Sequence, residues 1–285
     1  MSGGTVIGDW GNSRLRLWRL EDRSVVGRRD GSGIAQPGDQ AAKLAAALGD
    51  WDPERLVLCG MAGARNGLRE VPYVECPAGP EGWRSRVIEF ELAGCAVAIA
   101  PGAVVSSVPD VMRGEETQVF GAIARDPALA KGRHLVVLPG THSKWVRLAD
   151  GRIESFRTFM TGELFELLQR SSLFAAGDEA GEADDEAGFT DGLARRGALS
   201  SLLFEARSAQ LARGKSAKWA HGFVSGVLIG AEIAEMEPNG PLAIVGEPKL
   251  AGRYARALAG RGLDATILDA EECTIAGLRL LSADA

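Results

Sequence analysis

Two stretches of the chain repeat one alternation of apolar and polar positions. Residues 5–18 read TVIGDWGNSRLRLW and residues 135–148 read LVVLPGTHSKWVRL. Each opens as a β-branched and aliphatic run long enough for a buried strand. Each breaks at a glycine among small hydroxyl or amide residues, then resumes as an alternating strand. Turn-capable residues between two such runs predict a β-hairpin. A charged turn and a third strand follow each time, RLEDRSVVGRRDGSG after Trp18 and ADGRIESFRTFMTG after Leu148. Helix-period segments come next, QAAKLAAALGDW and GELFELLQRSS. Three meandering strands and a helix, written twice, predict an α/β fold of two duplicated domains with a cleft between them. Two ordinary hairpins in an α/β protein are the plainer alternative.

The remaining pattern is less regular. Strands are predicted at 55–60 and 96–102, separated by a Gly/Arg loop at 61–70 and a Pro/Gly-rich segment at 71–83. A helix is predicted over 112–126, and a two-helix region over 190–235. Residues 175–188, AAGDEAGEADDEAG, are acidic and free of aromatics, which predicts a solvated loop. Gly222, Gly226 and Gly230 fall four apart on one helix face and read as close helix packing rather than ligand contact. Residues 241–258 read strand, glycine turn, helix; residues 265–281 read strand, loop, helix.

Composition narrows the function. The 285 residues suffice for two medium domains or one large one, and 46% are hydrophobic, ample for a core. The 32 basic residues against 38 acidic ones, a net charge of −6, form no basic block, which argues against a duplex nucleic-acid binder. No basic n-region precedes the first strand, and the longest apolar runs are too short to span a bilayer. A soluble, cytoplasmic chain is expected, with no nucleic-acid or membrane partner. Cys59, Cys76, Cys95 and Cys273 stand apart, without C-x-x-C, and read as reduced thiols. His134, His142 and His221 do not pair at ligand spacing, so no zinc site is expected.

The turns carry the candidate chemistry. Exposed N–H groups, hydroxyls and a nearby base suit phosphate oxygens. The first turn offers Gly11, Asn12, Ser13 and Arg14; the second offers Gly140, Thr141, His142, Ser143 and Lys144. No Walker A sequence and no G-x-G-x-x-G after a strand occur, and GSGIAQ at 31–36 lacks the third glycine, so any nucleotide site must use the hairpin turns. Asp9 ends a buried strand before the first turn and can hold Mg²⁺ through waters, or cap the turn backbone as an Asx-turn. Glu115 and Glu116 open the 112–126 helix. One can cap it, Glu115 foremost, while the other accepts a hydroxyl proton during phosphoryl transfer. Arg113 can clamp a substrate carboxylate or pair with a glutamate.

DWGNSRLR at 9–16, VMRGEETQ at 111–118, LPGTHSKWV at 138–146 and FRTFMTGEL at 156–164 resemble, in order and spacing, the motifs of the 2-dehydro-3-deoxygalactonokinases. The FVSGVLIGAEIA and RYARAL segments resemble that family's end. The resemblance implies two actin-like ATPase domains of ribonuclease H type. Residues 1–111, completed by 272–285, would form the first, and residues 112–271 the second. It makes the first turn the phosphate 1 motif and the second turn phosphate 2, and puts Gly246 in the adenosine motif. ATP and Mg²⁺ are the implied cofactors, with the metal near Asp9. Glu116 or Glu115 would orient the sugar hydroxyl, while Arg113, Arg157 and Thr161 would bind the substrate. The implied reaction phosphorylates the C6 hydroxyl of 2-dehydro-3-deoxy-D-galactonate in galactonate or galactose catabolism. Alternatives are a kinase of the same superfamily acting on an amino sugar or pantothenate, and a non-catalytic nucleotide-binding regulator. The oligomeric state stays open, a homodimer included.

Overall fold

Runs of buried β-branched residues make the central strands, and the polar turns between them make the hairpins. A computed structural model of the protein describes residues 4–22, 24–171, 181–236, 238 and 240–282. The first meander is β1 (Thr5–Trp10), β2 (Arg14–Glu21) and β3 (Ser24–Ser32), followed by helix α1 (Gln40–Leu48). Next come β4 (Arg55–Gly60), β5 (Val74–Glu75), the one-turn α2 (Pro80–Arg84), β6 (Ile88–Leu92) and β7 (Cys95–Ile99). After β8 (Ala103–Val105) and β9 (Asp110–Met112), α3 (Glu115–Arg125) leads to the second meander. That meander is β10 (Arg133–Leu138), β11 (Ser143–Ala149) and β12 (Arg152–Phe159), again followed by a helix, α4 (Thr161–Gln169). Three helices follow, α5 (Glu182–Leu193), α6 (Leu199–Arg213) and α7 (Ala217–Met236). The chain closes with β13 (Leu242–Gly246), α8 (Pro248–Ala259), β14 (Ala265–Asp269) and α9 (Ala270–Arg279).

The duplication appears in the strand orders. The six-stranded sheet runs β3-β2-β1-β4-β7-β6, and the five-stranded sheet runs β12-β11-β10-β13-β14. The first strand of each meander is therefore central, with its hairpin partner on one side and a later strand on the other. β1 pairs antiparallel with β2 and parallel with β4. Flanked on both sides, β4 reads as an unbroken apolar run because both its faces are covered. A small third sheet orders β5-β8-β9.

One face of the first sheet packs on α1, where Leu44 and Ala47 join Trp10, Leu15, Leu17, Leu58 and Ile99. Burying each large apolar side chain here contributes roughly 1.5–3 kcal/mol. α9 packs against α3, β1 and β4. Glycines allow the two helices to touch: a Cβ on Gly121 would lie 1.8 Å from the Cys273 carbonyl oxygen, and one on Gly277 2.0 Å from that of Thr117.

The chain forms two compact units, one of Met1–Val136, Val146–Arg157 and Leu268–Ala285, the other of Val137–Trp145 and Thr158–Ile267. The packing does not divide at the expected 111/112 boundary. α3 belongs with the first unit because its glycine face is locked to α9, and the return to that unit begins at Leu268.

Other expectations need correction. The predicted helix over 112–126 begins only at Glu115, after a short strand. The region 190–235 holds parts of three helices rather than two. Of the predicted acidic loop 175–188, residues 175–180 lie outside the described residues, and the rest opens α5. α5 is ordered by interlocking glycines. A Cβ on Gly188 would meet the Trp219 carbonyl oxygen at 2.0 Å, and one on Gly222 would meet that of Asp185 at 1.8 Å. The stripe at 222, 226 and 230 is thus a helix-packing face. No helix among the described residues is long and apolar enough to cross a membrane.

Candidate active site

The first hairpin closes where the Gly11 N–H donates to the Arg14 carbonyl at 2.9 Å. Its register sets Arg16 directly opposite Asp9. Arg16 Nη2 donates to Asp9 Oδ2 at 2.5 Å, a charge-assisted bond across the strands. Asp9 is therefore an ion-paired carboxylate rather than an Asx-turn residue. Its other oxygen faces the Cys59 thiol at 3.7 Å. Two glycines stand beside that oxygen: a Cβ on Gly60 would come within 2.9 Å of Oδ1, and one on Gly114 within 3.9 Å. Their φ angles, 73° and 112°, lie where glycine is favoured. Side-chain-free backbone around a carboxylate oxygen leaves room for a hydrated cation. Mg²⁺ is commonly held through one or two carboxylates, waters and phosphate oxygens, and Asp9 fits that use. No cluster of three or more His, Cys, Asp or Glu able to cage a metal occurs among the described residues.

The tip of this turn is braced from behind. Ile34 and Ala35 donate backbone N–H bonds to the carbonyls of Gly11 and Asn12, both at 3.1 Å. Gly33 lies so close that a Cβ would sit 2.0 Å from the Asn12 oxygen. The GSGIAQ segment, excluded as a nucleotide loop, supports the turn. Asn12, Ser13 and Arg14 are exposed on its outer side.

Both glutamates of α3 bind amides ahead of the helix. Glu115 accepts from the Arg113 N–H at 3.0 Å, and Glu116 from the Gly114 N–H at 2.7 Å. Glu116 also accepts from the Thr117 hydroxyl at 3.0 Å. The helix N-terminus favours both anions, so the expected split into a capping Glu115 and a proton-accepting Glu116 does not match the geometry. Glu116 is 0% exposed and has no surface to offer a substrate hydroxyl in this conformation. Burial, then the neighbouring Glu115 charge, pushes its carboxyl up to about 8. Burial, then the Asp9 and Glu116 charges, holds the Cys59 thiol well above its ordinary range, which removes it as a nucleophile.

Arg113 is stacked and underused. Its guanidinium lies 4.2 Å from the Tyr73 ring centroid, and Nη2 donates to the Val71 carbonyl at 2.8 Å. Nε and Nη1 are buried without a partner. Unpaired buried donors cost about 1–3 kcal/mol each, and an anionic ligand would satisfy them. Arg157 is exposed on β12.

In the other unit, Gly140, Thr141 and His142 form the accessible part of the second turn, whereas Ser143 and Lys144 are buried. The Ser143 hydroxyl bonds the Tyr254 hydroxyl at 2.8 Å, and Lys144 Nζ donates to the His142 carbonyl at 3.3 Å. Helix α4 abuts the turn. A Cβ on Gly162 would lie 2.3 Å from the Gly140 oxygen, the Glu163 N–H donates to the Thr141 carbonyl at 2.9 Å, and His142 Nε2 lies 2.5 Å from Glu163 Oε2. Gly140 itself has no protein atom within 4 Å of a built Cβ. Thr161 donates its hydroxyl to Glu232.

Beside this turn opens a cavity of about 600 Å³. Gly140 and Thr161 line one side, Asp185 and His221 another, and Glu247 and Lys249 the head of α8. Gly246 ends β13 and contributes from behind, its built Cβ 3.4 Å from Pro139. Asp185 bridges two cavity residues, pairing with His221 at 2.6 Å and with Arg253.

The family described as 2-keto-3-deoxy-galactonokinase matches residues 9–281, from Asp9 to the last turn of the chain. The chain belongs to this family. A probable 2-dehydro-3-deoxygalactonokinase of Rhizobium meliloti (strain 1021) is 40% identical over 295 residues, covering 95% of this chain and 94% of that protein. The 2-dehydro-3-deoxygalactonokinase of Escherichia coli (strain K12) is 35% identical over 288 residues, covering 96% of each. A crystal structure from Sinorhizobium meliloti carrying the same proposed kinase name has a TM-score of 0.87 at 37% identity, covering 98% of this chain and 96% of that one. The activator of 2-hydroxyisocaproyl-CoA dehydratase from Clostridium difficile, with bound ADPNP, has a TM-score of 0.53 at 12% identity, covering 98% and 94%; this likeness speaks to fold alone. The protein is a kinase of this family.

For a 2-keto-3-deoxy-galactonokinase, several residues around the site were not singled out from the sequence. Arg16, Gly60 and Gly114 surround Asp9, and Asp185, His221 and Arg253 line the cavity. Arg16 was accessible in principle, since closing the hairpin at Gly11 and Arg14 puts it across from Asp9. The others come from elements distant in the chain.

Proposed function

We propose that the protein transfers the terminal phosphoryl group of ATP to the C6 hydroxyl of 2-dehydro-3-deoxy-D-galactonate, a cytoplasmic step of galactonate or galactose catabolism. The observation that carries this reading is the family match over residues 9–281, with relatives named for that activity at 35% and 40% identity. The geometry supports it. The base and ribose of ATP fit the 600 Å³ cavity, with Lys249 at the N-terminus of α8. The phosphates would meet the N–H groups of Gly140, Thr141 and His142.

Asp9 would hold Mg²⁺, which when bound would neutralise charge on the phosphate oxygens. Arg16 fixes the carboxylate from its other oxygen. Phosphoryl transfer has a loose transition state, so positioning outweighs base strength. Asp9 and Glu115 are the partly exposed acids of the cluster, and Asp9 takes the hydroxyl proton. Glu116 positions Gly114 beside it through the backbone N–H. Arg113, whose Nη1 and Nε lack a protein partner, would bind the substrate carboxylate through its guanidinium N–H groups.

Coupled ADP detection tests the reading, with the galacto and gluco epimers, an amino sugar, pantothenate and no acceptor run side by side. The galacto sugar acid should give the highest kcat/KM. A higher value with the amino sugar or pantothenate would move the enzyme to another substrate, and ADP release with no acceptor dependence would contradict sugar-acid phosphorylation.

A further inference from the structure

FVSGVLIGAEIA, most of α7, is almost wholly apolar, yet it carries one buried acid, Glu232, only 3% exposed. Its carboxylate collects donors from three other elements. Trp145 Nε1 of β11 donates to Oε1, Thr161 Oγ1 at the head of α4 donates to Oε2, and the Tyr254 hydroxyl of α8 donates to Oε2 at 2.9 Å. Tyr254 in turn meets the Ser143 hydroxyl at 2.8 Å. Burial pushes the Glu232 carboxyl upward, and these hydrogen bonds oppose that shift.

All of these contacts point to the second turn. Ser143 and Trp145 flank Lys144, so they share the strand face opposite it. Securing both therefore sets the direction of Lys144. Thr161 precedes Gly162, the residue packed against the Gly140 carbonyl. Tyr254 belongs to the helix whose head lines the cavity. One carboxylate thus binds the strand leaving the turn, the helix supporting it and the helix beside it; Thr161 and Tyr254 line the cavity, whereas Glu232 itself is not among its lining residues.

We infer that Glu232 is a positioning residue that presents the second turn to the phosphates of the nucleotide. This rests on the reading that ATP binds at that turn. Its loss should act on nucleotide affinity and spare the sugar acid, whose proposed contacts lie in the other unit.

Glu232→Leu, Glu232→Gln, Tyr254→Phe and Trp219→Phe compose the test, read by calorimetric ATP binding and by KM for each substrate. Trp219 lies on the same helix and bonds Asp191 at 2.9 Å, away from the turn, and serves as a stability control. Glu232→Leu should weaken ATP binding about tenfold or more and leave KM for the sugar acid within about twofold. Glu232→Gln, which can accept from Trp145 and donate to the two hydroxyls, should recover affinity to within about threefold. Tyr254→Phe, which removes one donor and the Ser143 link while keeping the ring, should weaken ATP severalfold and supplies the answer if Glu232→Leu fails to fold. Unchanged ATP affinity in folded Glu232→Leu or in Tyr254→Phe would overturn the inference. So would an equal loss in Trp219→Phe. A wild-type protein that does not bind ATP would instead remove the reading beneath it.

Discussion

The two hairpins share a strand order and differ in where they keep their acid. In the first, the carboxylate lies on the hairpin itself: Asp9 ends β1, and its partner Arg16 lies directly opposite on β2. In the second, Pro139 and Gly140 stand where the first has its acid and aromatic, and the carboxylate is Glu232 of α7, buried behind the turn. The first acid is paired with a cation and left one oxygen beside glycines. The second is surrounded by neutral donors and faces no opening. The two turns thus share a strand order while their acids occupy different environments. A hairpin anchored in a sheet tolerates exchange of its tip residues so long as the strand pairing survives, so duplication left each turn free to specialise.

The contrast breaks most sharply at Asp9. Asp9→Asn keeps the shape and a bond to Arg16 but removes the charge. kcat should fall on the order of 10²-fold or more, the scale of one electrostatic transition-state contact, with the melting temperature within a few degrees of wild type. Near-normal turnover at saturating Mg²⁺ would make Asp9 a structural ion-pair residue.

The second turn should respond differently. Gly140→Val adds a side chain where no protein atom lies within 4 Å. Stability should hold, while KM for ATP rises about tenfold because the side chain blocks the backbone from phosphate. A lowered melting temperature with unaltered KM would mean that the turn serves folding alone.

Substrate recognition sharpens the first unit's role. Arg113→Lys loses the planar fork and much of the Tyr73 stacking. KM for the sugar acid should rise roughly tenfold, KM for ATP should stay within about twofold, and the preference over a neutral hexose should shrink. No change in that preference would move the carboxylate site elsewhere.

Glu116 should give the smallest effect on rate. Its folded carboxyl, near 8, lies above the ordinary 4.5. The folded state therefore holds the proton more tightly, and stability from this group is complete below about pH 4.5 and lost as pH rises toward 8. The slope approaches about 1.4 kcal/mol per pH unit inside that window. Glu116→Gln mimics the neutral acid, so kcat near neutral pH should change less than about threefold, and the melting temperature should decline less than wild type between pH 5 and 9. Parallel curves would place the Glu116 carboxyl in its ordinary range. A hundredfold fall in kcat would return it to the proton-accepting role.

Both meanders were legible from the sequence because period-two alternation and turn residues are local signals, and the strand orders reproduce them. The body of α3 was legible for the same reason, though not its start at Glu115, because the strand before it is only three residues long. What escaped was carried by distance. Glu232 meets Trp145 and Thr161 across 87 and 71 residues, and nothing local in an apolar helix assigns its acid a partner. α5 escaped for a different reason. Its glycines and acids resemble those of a solvated loop, yet Gly188 and Gly192 are the surface that α7 packs against, and Asp185 binds His221 and Arg253. The roles of the two α3 glutamates could not be divided from spacing, because burial rather than position separates them.

Steady-state kinetics on Asp9→Asn and Gly140→Val side by side, with ATP and the galacto sugar acid each varied, separate the proposed reacting role of the first turn from the proposed holding role of the second. kcat should fall about 10²-fold or more in the first with KM for ATP nearly unchanged, and KM for ATP should rise about tenfold in the second with kcat nearly unchanged. Loss of the same parameter in both variants would contradict that division of roles.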